Sequence, residues 1–187
     1  EIEVERSISD NVTSIENATG GRLIEENSRA KAKVAHHVNI NPVAVLTMSI
    51  MSPSGVEFFG EDLVRALRRA GFEYGEMGIF HLYDYMDDTS NLVCSAANAL
   101  NPGTFNLDAI DEFSTVGISL FLSLPTNSNN LRAFEQMLAA AQQLSKDLCG
   151  ELKDDHRSDL TAQTIEHYRQ RIRDFELDQL KVAGSRG

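Results

Sequence analysis

Hydrophobic and polar residues alternate across positions 45–51, where Leu46, Met48 and Ile50 fall on one side and Val45, Thr47 and Ser49 on the other. A repeat of two is that of a strand with one buried face. Pro53, Ser54 and Gly55 predict a turn after it. Over 60–70 the spacing becomes helical, with Leu63, Leu67 and Ala70 on the buried stripe. Glu61 and Asp62 complement the positive N-terminal end of that helix, and Gly71 supplies its stop.

Apolar runs predict two further strands, 73–84 and 92–100. Gly75 and Gly78 bend the first, and Asn101, Pro102 and Gly103 end the second. Asp87, Asp88, Thr89 and Ser90 form the polar link between them. A helical turn is expected over 108–111, and another alternating strand over 116–124, closed by Pro125. Residues 127–130 cap a long helix carrying Leu131, Phe134, Leu138, Ala141, Leu144 and Leu148. Steps of three and four place those six on one face. Gly150 ends it, 151–153 reads as a short strand, and a last helix from Thr161 buries Ile165, Tyr168, Ile172 and Phe175. The chain after Lys181 is expected to fray. This order predicts an α+β fold: an antiparallel sheet of about six strands with three helices packed on one face.

The opposite face follows from the same alternation. With Ile118, Leu120, Leu122 and Leu124 turned to the helices, Ser119, Phe121 and Ser123 point away. The reading also puts Val45 and Thr47, Met77, Ile79 and His81, and Ser95, Ala97 and Ala99 on the outer face. Phe80, Leu82, Leu92, Cys94, Ala96 and Leu100 are expected inward. Small residues floor this outer face while Val45, Met77, Ile79 and Phe121 stand up from it. That composition suits a shallow groove for another chain's apolar side chains. The alternative is a Phe121 covered by a loop or the N-terminal arm, since isolated exposed apolar residues are common.

Composition narrows the function. A formal net charge of −11 and a pI of about 4.8 oppose binding to nucleic acid or directly to an anionic membrane surface. Hydrophobic residues, at 42%, are too frequent for a fully disordered chain. Cys94 and Cys149 make no disulfide framework and no zinc pattern. The longest apolar stretch, 43–51, is too short to cross a bilayer, and no signal-peptide pattern opens the chain. These features read as a soluble cytosolic fragment. Residues 1–40, with few large apolar side chains, are expected to be a linker or arm, 41–182 the domain, and 183–187 a tail. Asn11 and Asn17 begin glycosylation-like triplets that the reduced thiols argue against using.

Candidate catalytic groups are weak. Asp154, Asp155 and His156 read as a turn preparing the last helix, and Asp87 and Asp88 as solvated carboxylates. His36 and His37 have no second ligand pair, so no metal or cofactor is expected. His81 is expected to be a surface histidine. Cys94 alternates inward and reads as a buried small hydrophobe.

Three blocks then resemble a known family: Arg69-Ala-Gly-Phe-Glu-Tyr-Gly-Glu-Met-Gly-Ile-Phe-His81, Asn98-Ala-Leu-Asn-Pro-Gly-Thr-Phe105, and Val116-Gly-Ile-Ser-Leu-Phe-Leu-Ser-Leu-Pro125. With the 134–148 helix, the 152–157 turn and the 160–163 segment, they are similar to the C-terminal domain of the bacterial cell-division protein ZipA over about 43–176. The resemblance implies a non-catalytic domain that binds the C-terminal tail peptide of FtsZ in a shallow hydrophobic cleft. Carried over by motif, the cleft positions are Val45, Thr47, Met77, Ile79, Ala97, Ala99, Asn101, Ser119 and Phe121. Ala99 stands where the family can show methionine and Asn101 where it can show lysine, so the cleft is expected to be shallower and less basic.

The resemblance further implies tethering of the division (Z) ring at the cytoplasmic face of the inner membrane. The membrane would be reached only through an N-terminal anchor outside these residues, with 1–40 as the end of a linker. Two other readings remain open at this level: a small-ligand regulatory domain, and an RNA-binding sheet, which needs a basic face.

Overall fold

The structure, a computed structural model, describes residues 44–86 and 89–184. The expected linker, His36, His37, Asn11, Asn17, Asp87 and Asp88 lie outside the described residues. Eleven elements follow in order: β1 (Ala44–Met51), β2 (Phe58–Phe59), α1 (Gly60–Arg69), β3 (Phe72–Tyr74), β4 (Phe80–Met86), β5 (Thr89–Asn98), β6 (Ser114–Thr115), β7 (Gly117–Leu124), α2 (Asn130–Asp147), β8 (Glu151–Lys153) and α3 (Ala162–Gly184). Short 3-10 turns at Glu76–Gly78 and Leu107–Glu112 join some of them.

Six strands form one antiparallel sheet in the order β3-β4-β5-β7-β1-β8. The short β2 and β6, absent from the sequence reading, pair separately. Leu46, Met48 and Ile50 of β1 and Ile118, Leu120, Leu122 and Leu124 of β7 are buried, as their alternation predicts. They share one core with Leu63 and Leu67 of α1, Phe134, Leu138 and Leu144 of α2, and Tyr168 and Ile172 of α3. All three helices therefore cover the same face of the sheet. Asn129 caps α2 by accepting from the Arg132 N–H at 2.8 Å, and Gly71 follows α1 at φ +89°, a conformation that favours glycine.

Three expectations need correction. The 73–84 run is a hairpin, because residues 75–79 reverse the chain and β3 pairs back onto β4. Leu92 does not face the helices. A bulge between Leu82 and Tyr83 pairs Leu82 with Cys94 but Tyr83 with Leu92. One extra residue inverts the alternation, so Val93 joins Cys94 in the core and Leu92 turns to the outer face. Leu100, past the end of β5, is exposed at 44%.

Candidate functional site: the outer face of the sheet

Cross-strand partners in an antiparallel sheet project from the same face. One row runs Glu73–His81–Ser95–Phe121–Thr47 across β3, β4, β5, β7 and β1. The next contains Ala97, Ser119 and Ser49, and continues to Lys153 on β8. Ser49 and Ser119 lie 3.2 Å apart, hydroxyl to hydroxyl. Beyond that, Gly117 pairs with Met51, and the Ala99 N–H donates to the Gly117 carbonyl at 3.0 Å. Small side chains thus run diagonally across the outer face, with Phe121 beside them.

The positions expected from sequence fall in different environments. Val45 is 40% exposed and Met77 59% exposed. Thr47, Ala97, Ala99, Ser119 and Phe121 are half-buried, and Asn101 is exposed. Phe121 stands outside the helix-side core. Ile79, by contrast, is covered to 5% exposure, yet it too is absent from the helix-side core.

His81 and Ser95 overturn the expectation of a surface histidine. Both are buried, and His81 Nδ1 lies 2.9 Å from the Ser95 hydroxyl. His81 Nε2 lies 3.1 Å from the Glu76 carbonyl oxygen, which can only accept, so Nε2 carries a proton. The imidazole ties the sheet floor to the turn that displays Met77. Met77 itself has φ 60° and ψ 11°, the left-handed region, which is uncommon for a residue with a side chain.

Sequence reasoning missed the far end of this face. His81, Tyr83 and Tyr85 form a ladder with ring centroids 6.1 and 6.2 Å apart, and Leu92 pairs with Tyr83. Their period-two spacing, continuous with Ile79, is the signal that could have found the two tyrosines. Asp84, one residue off that period, lies on the helix side, where Arg132 of α2 meets it at 3.1 Å.

The acidic turn behaves as read. Asp154 Oδ1 accepts from the N–H groups of His156 and Ser158, and Asp155 pairs with Arg171 at 2.8 Å. Burial pushes the Cys94 thiol far above its usual range, which makes it inert. Among the described residues, no group of three His, Cys, Asp or Glu could hold a metal, and no helix is long and apolar enough to cross a membrane. Two clefts, of about 390 and 540 Å³, flank α1, the first lined by Phe59, Arg69 and Asp147 and the second by Val64, Leu107 and Ile110. Neither includes an outer-face residue.

Residues 44–171 match the family model described as the C-terminal FtsZ-binding domain of ZipA. The chain is 50% identical over 135 residues to the cell division protein ZipA of Azotobacter vinelandii, covering 72% of this chain and 47% of that one. It is 48% identical over 138 residues to the ZipA of Stutzerimonas stutzeri, covering 74% and 50%. For the ZipA of Pseudomonas fluorescens strain SBW25 the identity is 50% over 141 residues, covering 74% and 49%. The chain spans about half the length of the relatives it matches. The family is one of binding domains, not enzymes, and by sequence and fold the chain belongs to it: this is a member of the ZipA C-terminal domain family.

Proposed function

We propose that this domain acts in bacterial cell division by binding the C-terminal tail peptide of FtsZ across the outer face of its sheet. The groove is lined by Val45, Thr47, Met77, Ile79, Ala97, Ala99, Asn101, Ser119 and Phe121. The observation that carries the reading is Phe121: a large aromatic between Thr47 and Ser95, on the face opposite the helices and outside their core. Small neighbours leave room for a partner's side chains, and apolar anchors contribute about 1.5–3 kcal/mol each when fully buried.

The family's printed description, an FtsZ-binding domain, supports the partner. In the longer protein, a membrane anchor and linker would hold the domain at the inner membrane, so that it tethers the Z ring there. Many tails along one filament add through effective concentration, so no single contact has to be tight.

An NMR titration of the full chain with the FtsZ tail peptide tests this. Shifts are expected to cluster on β1, β5, β7 and the 76–79 turn. Shifts centred on α1 and the clefts beside it would overturn the reading.

A further inference from the structure

Residues 71–131 contain eight aspartates and glutamates and no lysine or arginine. That stretch supplies β3, β4, β5 and β7, so four of the six sheet strands carry no permanent cation on either face. Asp84 is neutralised from the helix side by Arg132. Glu73 and Glu76 are not: both are exposed, and neither has a cationic partner among the described residues.

These two carboxylates border the aromatic ladder. Glu73 pairs across strands with His81 and accepts from the Tyr85 hydroxyl at 2.5 Å. Glu76 opens the turn whose carbonyl meets His81. Burial first, and then the charges of Glu73 and Glu76, raise the Tyr83 pKa to about 12, so both carboxylates act on that phenol. Tyr85 is 63% exposed and presents its ring beside Glu73. Among the described residues, the titratable groups on the outer face at this end are Glu73, Glu76, His81, Tyr83 and Tyr85. Unpaired carboxylates next to an accessible aromatic ring favour a cation, through Coulomb attraction to the acids and through the negative face of the ring.

We infer that the β3–β4 end of the outer face receives a basic side chain, arginine or lysine, of the same chain that fills the groove. This rests on the groove reading and adds to it a charged recognition point. A planar guanidinium can lie on the Tyr85 ring while its N–H groups reach Glu73, which favours arginine. The partner segment is therefore one in which a basic residue flanks the apolar anchors.

The test is calorimetric titration of the full chain with the FtsZ tail peptide, at low and high salt. The proteins are wild type, the Glu73→Gln/Glu76→Gln double variant and Phe121→Ala. Replacing Glu73 by glutamine retains an acceptor for the Tyr85 hydroxyl, so the double variant is expected to melt like wild type. Its affinity is expected to fall roughly two- to fivefold at low salt, with a flatter salt dependence. A peptide with its basic residues replaced by glutamine should lose the same factor against wild type and nothing against the double variant. Unchanged or tighter binding by the double variant, with Phe121→Ala still weakened, would overturn the basic-residue site and leave the groove standing. If Phe121→Ala also binds normally, the groove reading itself fails.

Discussion

The hydroxyl of Tyr168 donates to the carbonyl oxygen of Thr47 at 2.8 Å, joining a buried helix residue to a strand whose outer side chains lie on the candidate groove. The phenol oxygen in turn accepts from the Asp155 N–H at 2.9 Å. β8 pairs with β1 only over 49–51, so among the described residues the edge of β1 at Val45 and Thr47 has no strand beside it. Tyr168, with the Arg171 guanidinium reaching the Val45 carbonyl at 3.5 Å, closes that edge. Tyr168→Phe leaves a half-buried carbonyl and an amide without their partner. It is expected to cost about 1–3 kcal/mol, read as a lowered urea midpoint with unchanged slope. Faster amide exchange at Asp155 would accompany it, and an unchanged midpoint would show that the bridge contributes nothing.

Alkaline pH should destabilise the domain for a related reason. Burial raises the Tyr168 pKa to about 12, against an ordinary value of 10.0. Tyr83 is raised to about 12 as well, by burial first and then by Glu73 and Glu76. The folded state therefore keeps protons that the unfolded chain releases. The contribution of the two tyrosines is full below pH 10 and is lost as pH rises toward 12, at up to about 1.4 kcal/mol per pH unit for the buried Tyr168 and less for the half-buried Tyr83. Urea midpoints measured on either side of pH 10 check the sign. A midpoint that rises with pH in that window contradicts it.

Much of this architecture was legible because each strand obeys a period of two and each helix a period near 3.6. Leu46, Met48 and Ile50, or Ile118 to Leu124, leave no freedom about which face is buried. Leu92 was misread because one inserted residue changes the count. The bulge opposite Leu82 sends Leu92 outward, and the three consecutive apolar residues 92–94 were its trace in the sequence. The candidate site was legible in its floor and less so in its lining. Alternation puts Ile79 and His81 on the outer face, but it cannot foresee that the 76–78 turn bends back to His81.

Neighbours in sequence on opposite faces separate stability from binding. Leu120 is fully buried against the helices, and Leu120→Ala is expected to cost about 2–5 kcal/mol. Phe121 is half-buried outside that core, and Phe121→Ala is expected to cost less than about 1.5 kcal/mol while weakening tail binding at least tenfold. Chemical denaturation and peptide titration of both variants give the comparison. Equal stability losses for the two would place Phe121 in the core and remove it from the site.

Met77 poses the sharpest trade between fold and function. Its backbone lies at φ 60°, which costs a residue with a side chain about 1–2 kcal/mol, and its side chain is 59% exposed, so the chain's own packing recovers little of it. Three bonds hold the turn in place regardless: the Gly75 N–H to the Ile79 carbonyl at 3.0 Å, the Phe105 N–H to the Gly78 carbonyl at 2.8 Å, and His81 Nε2 to the Glu76 carbonyl at 3.1 Å. Glycine at 77 relieves the strain but adds about 0.5–1 kcal/mol of backbone entropy to the unfolded chain. Met77→Gly is therefore expected to be neutral to about 1 kcal/mol more stable in thermal unfolding. Met77→Ala keeps the strain and gains nothing. Both lose the exposed thioether, so both should bind the tail peptide more weakly and by similar factors. A strained position whose relief helps the fold and harms binding is one held in place for its partner. If Met77→Gly binds as tightly as the unsubstituted chain, the turn is merely tolerated and Met77 leaves the groove.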